Sequence, residues 1–112
     1  MRAVLALALI ASLPARAAVP PINDYPTDAR ADYVFACMKT NGETRAALEQ
    51  CSCSIDVIAS LLPYDAYVAG ETVASMMQDH GPVGRAFNAT ALAKQDLVTL
   101  RRAQAEAEVR CF

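Results

Sequence analysis

The chain has no tryptophan and a single histidine, His80, among its 112 residues. One imidazole does not supply the paired ligands that zinc sites usually draw on. No Ser-His-Asp, Cys-His or paired-carboxylate set can be built around it. There is no glycine-rich loop to cradle a phosphate. There is no C-x-x-C, so thioredoxin-type exchange lacks its motif, and no C-x-x-C-H to attach a c-type haem. No block of like charge stands out, which removes the basic patch that nucleic acids and anionic lipids require. No alternating β-type run occurs, and there is no internal repeat. An enzyme is not expected, nor is a bound cofactor or metal.

What is present begins with an export signal. Met1-Arg2 is a short basic start, and Ala3 to Leu13 is an apolar run of eleven residues ended by Pro14. Ala15-Arg16-Ala17 places small residues where a signal peptidase needs them, so cleavage is expected after Ala17. The run is too short for a membrane anchor, which takes ~20 apolar residues. No later segment is apolar enough to span. The expected organisation is a signal peptide over 1–17, an extended proline-bearing lead-in over 18–26 and one helical domain over 27–112. Of the 10 basic residues, Arg2 and Arg16 leave with the signal. The remaining 8, against 12 acidic residues, give a net charge near −4. The expected compartment is the periplasm, with no membrane insertion after cleavage.

All four cysteines, Cys37, Cys51, Cys53 and Cys111, lie beyond the signal. Four cysteines behind an export signal read as two disulfides, the staples a domain of this size often needs. Cys51 with Cys53 is disfavoured, because a two-residue spacing in a helix points the side chains apart. Cys37 and Cys51 sit on inward stripes of consecutive antiparallel helices. The favoured pairing is therefore Cys37–Cys51 with Cys53–Cys111. The crossed pairing, Cys37–Cys53 with Cys51–Cys111, remains open, as does a metal or redox role for the C-x-C.

Four helices are expected. Thr27 caps the first, which runs to about Thr40 with Tyr33, Val34, Cys37 and Met38 inward, and Asn41-Gly42 stops it. The second starts at about Thr44 and stops before Pro63. It has Leu48, Cys51, Ile55, Ile58 and Leu62 on one face and Arg45, Glu49, Ser52, Asp56 and Ser60 on the other. The third covers about Asp65 to Asp79, with Asp65 as its cap. Its inward face is Ala66, Ala69, Gly70, Val73, Met76 and Met77. Gly70 costs a helix ~1 kcal/mol relative to alanine, which points to close approach of a neighbour. Pro82 to Phe87 reads as a loop. The fourth helix is capped by Asn88 or Thr90 and runs to about Arg110. The fold class is thus all-α, a compact four-helix bundle stapled by two disulfides.

Among other candidates, Met76-Met77 with His80 resembles a copper donor set, but the methionines fit a core face and His80 suits a helix end. Asn88-Ala89-Thr90 matches a glycosylation acceptor and serves equally as a cap. Leu62-Pro63-Tyr64-Asp65-Ala66-Tyr67-Val68 is the most distinctive run outside the cysteines. Tyr64, Asp65 and Tyr67 are the candidate partner surface, with packing over the corner between the second and third helices as the competing role for the two rings.

Asp24-Tyr25-Pro26-Thr27, Cys37-Met38, Cys51-Ser52-Cys53-Ser54-Ile55-Asp56 and the Leu62 to Val68 run together resemble a group of small exported proteobacterial four-cysteine helical proteins. The resemblance covers nearly the whole chain after the signal. It implies a neighbourhood of periplasmic quinoprotein alcohol dehydrogenase systems and their c-type cytochromes, and it carries no catalytic residues. The expected function is a non-enzymatic periplasmic accessory protein that binds another protein. The alternatives are a small periplasmic stress chaperone, a thiol or metal carrier, and an immunity protein.

Overall fold

The computed structural model describes residues 23–112, so the expected signal peptide and the first part of the lead-in lie outside the described residues. Five helices follow: α1 (Thr27–Asn41), α2 (Arg45–Leu61), α3 (Tyr64–Met76), α4 (Pro82–Asn88) and α5 (Ala91–Cys111). No strand occurs among the described residues.

The helix ends follow local chemistry. Gly42, at φ 104°, ends α1 in a region that side chains with a Cβ rarely enter, and its N–H donates to Met38 O at 2.8 Å. Thr44 caps α2, its hydroxyl accepting from Ala47 N at 3.1 Å, and Pro63 stands just past the end of that helix. Of the two candidates at the start of α5, Thr90 is the cap, accepting from Ala93 N at 3.2 Å. Asn88 instead donates to Met76 O at 3.1 Å and ties the end of α4 to α3.

Four expectations are corrected. Thr27 is not a cap. It is the first helical residue after Pro26, and the nearby Asp28 carboxylate accepts from Ala29 N at 2.9 Å. Asp65 lies inside the first turn of α3, and the carboxylate that takes the Tyr64 N–H belongs to Asp24, forty residues earlier, at 3.0 Å. The segment from Pro82 is a helix and not a loop, which makes five helices rather than four. Pro82 occupies the first turn, where its fixed φ suits a helix and its missing N–H costs nothing. Gly84, which suggests a loop, is buried against the turn that follows α3. A Cβ there would stand 2.5 Å from Asp79 O. The α3 helix itself stops at Met76, three residues short of the expected end, and Asp79 turns to accept from Gly81 N at 2.8 Å.

The core forms where α2, α3 and α5 meet. Ile55, Ile58 and Ala59 from α2, with Leu62 just past its end, face Leu100, Ala103 and Ala107 from α5, and Tyr25 joins them from the lead-in. The alanines of α5 matter because a small residue lets two helix axes approach. The expected inward stripe of the second helix is found, with Cys51 and Ile58 fully covered, and α5 turns Leu100 and Ala107, also fully covered, towards it. Asp56 is exposed, as its wheel position implied. Met77 departs from expectation, being about half exposed beyond the end of α3. The first helix buries no residue completely. It packs on α2 along one side, with its expected stripe only half-covered.

Both disulfides take the favoured pairing. Cys37 bridges to Cys51 with Cα atoms 5.8 Å apart, and Cys53 bridges to Cys111 at 5.7 Å. Closing loops of these two lengths restricts the unfolded chain by ~3 and ~4 kcal/mol respectively in the chain-entropy account.

Gly70 sits where α3 crosses α5. A Cβ would fall 2.6 Å from Leu100 Cβ and 3.2 Å from Asp96 O, neither of which can swing aside. Gly70→Ala gains helix propensity of ~1 kcal/mol but must push two packed helices apart. The expected net result is a loss of roughly 1–3 kcal/mol, read as a lower urea midpoint. A midpoint that rises would show that the helices do not meet at this contact.

Candidate functional site

The two tyrosines of the Leu62 to Val68 run are half-buried, and a third residue explains why. Tyr25 is only 5% exposed and packs beneath both rings, with centroids 5.2 Å from Tyr64 and 5.2 Å from Tyr67. The Tyr25–Tyr64 pair meets edge to face, an arrangement favoured by the ring quadrupoles. Tyr64 and Tyr67 lie nearly parallel at 6.2 Å. Asp24 completes the corner by holding the Tyr64 N–H. The lead-in thus folds down at Asp24-Tyr25 and anchors the start of α3 to the core. In the sequence, the prolines on either side of Tyr25 suggest an extended strap and nothing local marks it as core. The only signal was indirect, namely two closely spaced tyrosines that a turn does not need.

Above this cluster a cleft separates α1 from α3. One part encloses about 550 Å³ between Asp28 and Asp32 of α1 and Tyr64, Tyr67 and Glu71 of α3. A second part, of about 380 Å³, continues towards the C-terminus past Tyr33, Glu108 and Phe112. Asp32, Tyr67 and Glu71 line both. The Tyr33 hydroxyl shares a 2.8 Å hydrogen bond with Ser54, the one buried polar side chain of α2, and so fixes α1 over the core. Asp65 is exposed beside the cleft but does not line it. The structure therefore brings Tyr64 and Tyr67 together as walls and leaves Asp65 on the rim.

Titration behaviour reflects this setting. Burial raises the Tyr67 phenol well above its ordinary range, and the negative charges of Glu71 and Asp32 add to the effect. Tyr25 is pushed up to about 12, again chiefly by burial and then by Asp24. Its hydroxyl is buried without a hydrogen-bond partner among the described residues. Burial also raises the Glu71 carboxyl, while Arg101 opposes that rise. Gln104 stands between them, accepting from Arg101 at 2.8 Å and donating to Glu71 at a long 3.4 Å. The cleft is an acidic, aromatic-walled surface suited to a cationic group.

The remaining candidates fall elsewhere. All four sulfurs are consumed in the two bridges. Among the described residues, no group of three or more His, Cys, Asp or Glu side chains is placed to hold a metal ion. His80 is exposed between α3 and α4. No described helix is long and apolar enough to cross a membrane.

Fold and site together define an all-α, disulfide-stapled helical domain with an acidic tyrosine-walled cleft. Compared with family models, curated proteins and solved structures, the chain matches none of them.

A carboxyl whose pKa is raised on folding is one whose ionised form the fold disfavours. Stability is therefore lost as pH rises from the ordinary glutamate value of ~4.3 through the raised one. Glu71→Gln removes that penalty. Its Tm is expected to exceed wild type by a few degrees at pH 7 and to equal it near pH 3. A variant less stable at pH 7 would mean that the Glu71 carboxylate is satisfied where it stands.

Proposed function

We propose that this chain is a non-enzymatic accessory protein of the periplasm that binds another protein through the tyrosine-walled cleft between α1 and α3. The observation carrying the proposal is the cleft itself. Asp28, Asp32 and Glu71 surround two tyrosine rings that are held in place from below by Tyr25. Rigid aromatic walls cost little entropy on binding, and carboxylates with no ion-pair partner among the described residues favour a partner that presents lysine or arginine. The net negative charge of the exported chain acts in the same direction and steers a basic surface towards it.

The periplasmic part of the proposal comes from the sequence: a signal-like start and two disulfides, which persist in an oxidising compartment. The likeness to exported four-cysteine proteins makes a quinoprotein oxidation system and its cytochromes the place to seek the partner. A gene for a quinoprotein dehydrogenase beside this one would favour that system, whereas a toxin gene would favour the immunity reading.

Replacing Tyr64 or Tyr67 would disturb the core as well as the cleft, so charge reversal is the cleaner test. Asp28, Asp32 and Asp65 are all exposed. Wild-type protein immobilised at low salt is expected to retain a specific basic protein from the periplasm, and 0.5 M salt should release it. The Asp28→Lys/Asp32→Lys/Asp65→Lys variant should fold and retain none. Retention that is unchanged by the triple substitution, or no specific partner with wild type, would overturn the proposal.

A further inference from the structure

The opposite side of α1 carries a second surface. Between α1 and α2 runs an open groove of about 530 Å³ whose wall is Ala31, Val34, Phe35 and Met38 and whose floor includes Leu48 and Ile55. Ile55 is buried at the bottom, whereas Phe35 is 63% exposed on the wall. No residue of α1 is completely covered, although the helix presents four apolar side chains to this groove. Arg30 also lines it. Its Nε is buried and finds no hydrogen-bond acceptor among the described residues. Arg30 as a whole stays partly exposed, so its positive charge stands at the groove edge, where an acidic group can meet it.

We infer that the α1/α2 groove is the bed for an amphipathic helix of a partner protein, which sets an acidic side chain against Arg30. The inference rests on the reading of this chain as a binding protein and adds a second surface to it. The occupant is helical for a backbone reason. Two α-helices offer no row of free N–H and C=O groups, so an extended segment laid on the apolar floor would leave its own backbone unpaired. A helix satisfies its backbone internally and packs its ridges between those of α1 and α2. The lining spans α1 from Thr27 to Met38, a length of about 17 Å at 1.5 Å per residue. That accommodates three turns, with apolar anchors at the spacing i, i+3 or i+4, and i+7. Asp56, exposed on the α2 side, makes no ion pair with Arg30 and repels a simple amphiphile carboxylate. A polypeptide meets both charges by carrying an acidic and a basic residue on its polar edges.

The test places a photoreactive benzoylphenylalanine at position 35 or, separately, at position 65 of the full chain, in the cells that produce it. From position 35 the expected product is a cross-link to another protein. The joined peptide should have apolar residues at helical spacing and an Asp or Glu beside them. Arg30→Glu should cut the yield about tenfold or more, and reversing the partner's acidic residue should restore it. Ala31→Trp, at an exposed position of the groove, should abolish the product by filling the trough. Circular dichroism melting of both variants checks that the fold is kept. Cross-linking from position 35 to lipid, to a second copy of this chain or to a segment without that pattern would overturn the inference. So would a product from position 65 alone, which would leave the cleft reading standing. No product at either position would remove both.

Discussion

Two cysteines one residue apart on α2 set the geometry of this protein. Residues two apart in an α-helix differ by about 200° around its axis. Cys51 and Cys53 therefore leave α2 in nearly opposite directions, one towards α1 and one towards the end of α5. The central helix is held on both sides by covalent bonds that its own periodicity directs. With α1 fastened on one flank and α5 on the other, α3 packs against α5 and completes the layer. The cleft between α1 and α3 exists because both helices are referred to the same α2–α5 frame.

The noncovalent counterpart of the staples is Tyr25. It enters the core from outside the helices and supports the rings of Tyr64 and Tyr67 from below. Asp24 next to it takes the first N–H of α3. Local capping and long-range packing are thus combined in two adjacent residues of the lead-in. Burial keeps the Tyr25 and Tyr67 phenols neutral well past ordinary alkaline conditions. Carboxylates gather above the rings and not among them, which leaves a firm apolar floor beneath a charged opening.

Much of this was legible in the chain, for identifiable reasons. Helical periodicity placed Cys51, Ile55, Ile58 and Leu62 on one face of α2, and the same rule sent Asp56 to solvent. The favoured disulfide pairing followed from which cysteine shared that face. Gly70 announced the close approach of Leu100, because a glycine inside a helix needs a steric reason. The misreadings came where short-range signals compete. Pro82 and Gly84 suggest a loop by composition, yet a proline in a first turn and a glycine pressed on Asp79 also describe a short helix. The cap expected at Thr27 fails because the helix already begins there, directly after Pro26, and the one expected at Asp65 fails because the group that binds the start of α3 is Asp24, remote in sequence. Tyr25 was missed for the same reason, since nothing local marks a residue in a proline-rich strap as core.

The whole arrangement depends on α2 being the common anchor, with Cys51 and Cys53 bound to different helices. Partial reduction at low pH, stepwise alkylation with two reagents and tandem mass spectrometry test it directly. Cys37 and Cys51 are expected always to acquire the same label, and Cys53 and Cys111 likewise. Joint labelling of Cys37 with Cys53, or of Cys51 with Cys111, would contradict it and with it the placing of α1 and α3 that forms the cleft.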